Sequence, residues 1–186
     1  TELESTFKEE ISVYFDINPH DGLLETHDVN ASLKKKLRCL IFIPIISRTY
    51  CDPKSFAWEH EFKPFVEQAS KDQFGLKVKL SGGNVAGRIL PIQIHDLTAE
   101  DKALFEKELG GVLRAIEFIY KEPGVDKPLA PEDNEKKNLN NTKYRIQIIK
   151  VALAIKEIIF GMKTEPAQVV KEKDSPKVAR EEERRI

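Results

Sequence analysis

Two neighbouring stretches of this chain hold residue types that can do chemistry. Ser47-Arg48-Thr49-Tyr50-Cys51 follows an apolar run, and Ser55-Phe56-Ala57-Trp58-Glu59-His60-Glu61 follows that. Hydroxyls, three aromatic rings and carboxylates lie within fifteen residues there. Metal chemistry is a weak reading, because His60 has no second histidine four residues on. A thiolate nucleophile is also weak, because no cation adjacent in sequence lowers the pKa of Cys51 convincingly. Gly82, Gly83 and Gly87 precede a predicted strand rather than a helix, so they form no phosphate cradle. What remains is carboxylate chemistry. Glu61 and Glu59 point to different helix faces, and the bland reading of either is a solvated helix residue. Trp58 can stack on a ligand ring or pack under a sheet. Ser47 and Tyr50 can line a pocket mouth, with Ser47 also a candidate cap. A second group, Asp16, Asp21 and Gly22 in "FDINPHDG", is rich in turn-forming residues.

Elements must hold these residues. "CLIFIPII" reads as a strand apolar on both faces, as in parallel sheets covered by helices. Pro44 cannot donate to a ladder and is expected near the strand's C-terminal end. "ISVYFDI" reads as an earlier strand, "RILPIQIHDL" and "VLRAIEFIY" as later ones. Helices are predicted over Thr1 to Glu10, over a stretch capped by Asp28 or Asn30, and from a Ser55 cap, with Pro64 ending or kinking the last. A further helix runs from a Thr98 cap to Gly110, with Asp101 in a capping-box place. The last spans Thr142 to Met162 and stops at Gly161. "FGLKVKLSGGNVAG" and residues 121–141 read as loops. The alternation is α/β with a mostly parallel sheet, and the working site belongs beyond the C-terminal strand ends.

Of 186 residues, 40% are hydrophobic and 33% charged, with a net charge of −1. Neither sign of field recruits nucleic acid, and no apolar run is long enough to span a bilayer. Two cysteines fit a reducing, cytoplasmic setting. Residues 1–162 read as one domain and 163–186 as a charged linker unable to bury a core.

At "LIFIPII", Ser47-x-x-Tyr50 and Ser55-x-x-x-x-x-Glu61, the chain resembles the TIR domain family, of bacterial type. "YFDINPHDG" is similar to its second strand and BB loop, and "RILPIQIHD" to its fourth strand. Ala57 stands at the family's tryptophan position, and Trp58 one place later. The resemblance implies a flavodoxin-like sheet of order 2-1-3-4-5, with its first strand expected in an upstream segment. It also implies cleavage of the nicotinamide–ribose bond of NAD+, which serves as substrate rather than cofactor. Glu61 would be the catalytic carboxylate, and Ser47, Tyr50, Trp58, Asp16, Asp21 and Gly22 would contact substrate. Activity would depend on homotypic TIR–TIR association. The alternative implied is a non-catalytic interaction module of a larger signalling protein. A receiver-type phosphoacceptor domain is a poor match, since "IPIIS" ends without an aspartate.

Overall fold

The computed structural model describes residues 11–14, 29–133 and 142–164. Statements below refer to those residues. They form a mixed α/β arrangement with four α-helices and a three-stranded parallel sheet.

The sheet is built from β1 (Ile45–Ile46), β4 (Ile92–Gln93) and β5 (Ile116–Glu117), in the order β1-β4-β5. Ile45 pairs with Ile92, and Ile92 with Ile116, all parallel. The pairing extends beyond the regular strands. Phe42 donates to the Arg88 carbonyl and accepts from Leu90, each at 2.9 Å, and Ile92 donates to the Pro44 carbonyl. Pro44 therefore sits inside the "CLIFIPII" pairing rather than at its end. Its missing N–H leaves a hole in the ladder, which divides the run into the Phe42–Ile89 bridge and the short β1. Residues 11–14 are in no helix or strand, and the remainder of "ISVYFDI" lies outside the described residues.

The two faces of the sheet carry different cores. On one, Ile46, Trp58, Phe62, Phe65, Ile89 and Phe105 pack together. On the other, Ile92, Ile94 and Ile116 meet Phe118, Tyr144, Ile148 and Val151. The period-2 pattern of "RILPIQIHDL" produces this split, sending Ile89 to one layer and Ile92 and Ile94 to the other. Coverage is uneven: Ile46 is fully buried, but Ile45, facing the second layer, is 48% exposed.

Helix α1 (Val29–Lys36) buries Leu33 and leads to the buried Leu37. It begins at Val29, so Asn30 lies inside it, and the other candidate cap, Asp28, is outside the described residues. Helix α2 (Lys63–Lys71) continues a helical run that starts at residue 56. Pro64 does not end that run. Five residues, Trp58–Phe62, adopt a wider π turn instead, and Lys63 N–H donates to the Trp58 carbonyl five residues back. The proline falls in the first turn of α2, and the bond its missing N–H would have made to the preceding turn is forgone.

Helix α3 (Ala99–Leu109) has the predicted ends. Thr98 Oγ1 accepts from Asp101 N–H at 3.1 Å, and Gly110 closes the helix at φ 61°. Helix α4 (Thr142–Thr164) passes through Gly161 instead of stopping there. A Cβ at Gly161 would lie 2.9 Å from the Lys79 carbonyl and 2.9 Å from Val78 Cγ1. Glycine is required there because the helix lies against another backbone.

That backbone is a hairpin where a loop was expected: β2 (Lys77–Lys79) pairs antiparallel with β3 (Val85–Gly87). A second hairpin occupies the supposed polar loop, with β6 (Ile119–Glu122) against β7 (Val125–Pro128) around Pro123-Gly124. Gly124 has φ 77°, the value a turn with proline before glycine demands.

Candidate carboxylate site

The segment after β1 is folded by a chain of short bonds. Tyr50 N–H donates to the Ser47 carbonyl at 3.2 Å, and Asp52 N–H to the Thr49 carbonyl at 3.3 Å. The Asp52 side chain accepts from Lys54 N–H at 2.9 Å. Ser55 donates its hydroxyl to the Tyr50 carbonyl at 3.1 Å and accepts from Trp58 N–H at 3.2 Å. The second bond is the predicted cap. The first ties the cap to the strand end, so one serine sets where the Glu61 helix starts relative to β1.

Apolar spacing then orients the helix. Trp58, Phe62, Phe65 and Ala69 repeat at helical intervals and are all buried. Trp58 lies edge-on to Tyr50 (ring centres 6.4 Å apart) and to Phe105 (5.7 Å), and tilts against Phe62 (4.7 Å). Trp58 is fully enclosed, and Tyr50 is 8% exposed. The structure thus places both in the core, where they shape the site from beneath rather than offer a ring face to a ligand. Among the described residues, no hydrogen-bond partner reaches the Tyr50 hydroxyl or Trp58 Nε1. Ser47 is half-buried at the rim, its hydroxyl 3.2 Å from that of Thr49.

Glu61 lies within the π turn, half-buried, and its charge reaches Tyr50. Burial first, then the Glu61 carboxylate and Cys51, drive the Tyr50 pKa upward. Glu59 behaves otherwise. Its side chain is 62% exposed and lies 3.9 Å from His60, whose ring tilts on Phe56. Cys51 is buried, and its thiol is pushed up to about 11, by burial first and then by Asp101, so it is inert as a nucleophile at neutral pH. Asp16, Asp21 and Gly22 lie outside the described residues.

Sequence reasoning missed the polar groups on the neighbouring strand end. Arg48, just beyond β1, donates to Asp126 of β7 at 2.6 Å. Lys121 of β6 is 2.8 Å from Asp96, which follows β4. The β6–β7 hairpin is therefore strapped across the carboxyl ends of β1 and β4. The Pro123-Gly124 turn was the available sequence signal.

Two cavities lie elsewhere. One, of about 510 Å³, is lined by Arg38, Leu40, Gln68, Asp72, Phe74 and Arg88. It lies at the amino end of the strands, opposite the candidate site. The other, of about 430 Å³, is polar and lined by Gln93, Asp96, Lys102, Arg114 and Glu117 beside α3. Neither includes Glu61. Among the described residues, no group of three or more His, Cys, Asp or Glu could hold a metal ion.

The chain matches no protein-family model, no curated protein and no solved structure.

Proposed function

We propose that this chain is a bacterial-type TIR domain that cleaves the nicotinamide–ribose bond of NAD+, with Glu61 as the catalytic carboxylate. The observation that carries the reading is the position of Glu61. It sits half-buried in a π turn one helix start beyond the carboxyl end of a parallel strand, near enough for its charge to raise the Tyr50 pKa. Ligands of open parallel sheets bind beyond those strand ends, and π turns recur at functional sites. The parallel order β1-β4-β5 is the order the last three strands of a 2-1-3-4-5 sheet would have.

The chemistry suits one fixed carboxylate. The bond from ribose C1′ to the nicotinamide nitrogen breaks, and its electron pair leaves with nicotinamide. The ribose becomes an oxocarbenium ion, which the Glu61 carboxylate stabilises while accepting hydrogen bonds from ribose hydroxyls. Water then adds to C1′ and loses a proton. Nicotinamide leaves as a neutral molecule, so no strong general acid is needed. Self-association would complete the site, which accords with neither described cavity containing Glu61.

The second reading is a non-catalytic interaction module in the cytoplasm. The burial of Trp58 and Tyr50 favours it, because it removes two expected substrate contacts. Incubation with NAD+ while nicotinamide is measured, at dilute and at high protein concentration, separates the two. Release abolished in Glu61→Gln supports the enzyme. No release at any concentration supports the module, and release unchanged by the substitution overturns Glu61 as the catalytic carboxylate.

A further inference from the structure

Helix α4 carries a second apolar face. Ile146, Ile149, Leu153 and Phe160 are 46%, 41%, 50% and 55% exposed. At 3.6 residues per turn their side chains fall within an arc of about 60°, opposite the face that buries Ala152, Ile155 and Ile158. A helix apolar on both sides has something other than water on the second.

Charge identifies the neighbour. The other charged and exposed positions on α4 are Arg145, Lys150, Lys156 and Lys163, against one carboxylate, Glu157. By helical position, Lys156 flanks one edge of the stripe, and Lys150 shares the other with Glu157. The chain as a whole is near neutral, at −1, so this is a local concentration of positive charge. Two such faces would repel, which disfavours a second copy of α4. No helix among the described residues is long and apolar enough to cross a membrane. An apolar stripe on a helix whose exposed charges are four basic and one acidic, with lysine stems that can reach outward, suits a helix lying in the surface of a negatively charged bilayer.

We propose that α4 is a docking face for anionic lipid, with Ile149, Leu153 and Phe160 entering the headgroup boundary and Lys150 and Lys156 meeting lipid phosphates and carboxylates. This inference is independent of the NAD+ reading. Sedimentation with vesicles of phosphatidylcholine alone and of phosphatidylcholine with phosphatidylserine tests it. Affinity for the anionic vesicles is expected to be at least about ten-fold higher and to fall as salt rises. Leu153→Glu and Phe160→Glu should each abolish binding, and the pair Lys150→Glu with Lys156→Glu should lower it at least about ten-fold. All four positions are exposed, so thermal melting should match the parent chain. Three results would overturn the proposal: no vesicle binding, equal binding to both vesicle types, or variants that bind unchanged. A monomer shift in Leu153→Glu without any loss of lipid binding would assign the face to self-association instead.

Discussion

Arg88 grips Asp72 with one nitrogen: Nη1 lies 2.7 Å from Oδ1 and 2.6 Å from Oδ2. The same guanidinium donates to the carbonyls of Gly75 (3.0 Å), Leu40 (2.7 Å) and Cys39 (3.3 Å), and Arg88 is 1% exposed. A buried cation is tolerated only when paired and hydrogen-bonded, and this one is. It joins the end of α2, the segment before β1 and the segment before β4, and so holds the amino edge of the sheet together.

Removing it should be costly. Arg88→Met removes the cation paired with Asp72 and leaves three carbonyls without its donation, while Asp72 Oδ1 keeps the Phe74 and Gly75 N–H groups. Loss of about 3 kcal/mol is expected, with Tm lower by about 6–12 °C. Thermal unfolding followed by circular dichroism measures it. A shift below about 2 °C would mean the clamp is dispensable.

Gly161→Ala should destabilise through overpacking, by about 1–3 kcal/mol, because Lys79 O and Val78 Cγ1 occupy the place of the added methyl. A helix-propensity argument predicts the opposite sign, a gain of about 1 kcal/mol. Urea denaturation gives the sign directly.

The strap over the strand ends should be sensitive to acid. Arg48 beside Asp126 holds that carboxyl below the usual aspartate range. A depressed folded pKa adds stability above the unfolded value of about 3.9, and that stability disappears as pH falls through the lower folded value. The urea midpoint of the parent chain should exceed that of Asp126→Asn at pH 7, and the gap should close as pH drops below about 3.9. A gap constant with pH would assign the effect to packing.

Thr98→Ala should cost about 1 kcal/mol, since it leaves Asp101 N–H without its acceptor at the start of α3. Asp101→Ala keeps the threonine oxygen and should cost less. Paired urea melts separate the two.

The two glutamates of the π turn give the sharpest contrast on activity. Glu61→Gln should abolish nicotinamide release, and Glu59→Gln should leave it within about two-fold, because Glu59 is turned to solvent. Equal losses would mean that the turn, rather than one carboxylate, matters.

The sequence by itself determined what short-range chemistry fixes. Thr98 and Gly110 set the ends of α3, and Ser55 set the start of the helical run that leads into α2, because caps act within one turn. Alternation in "RILPIQIHDL" told which residues go to which layer, because the strand period is two. Tertiary structure decided the rest. Arg88 reads as one more charge before a strand until Leu40, 48 residues away, accepts from it. Gly161 looks like a helix stop until the β2–β3 hairpin is packed against it. Pro64 looks like a helix end, yet the aromatic face of Trp58, Phe62 and Phe65 is worth more buried than the lost bond, and a π turn keeps that face on the core. The same turn leaves Glu61 half-buried and Glu59 in water, a choice two glutamates two residues apart could not reveal until the core fixed the helix's rotation.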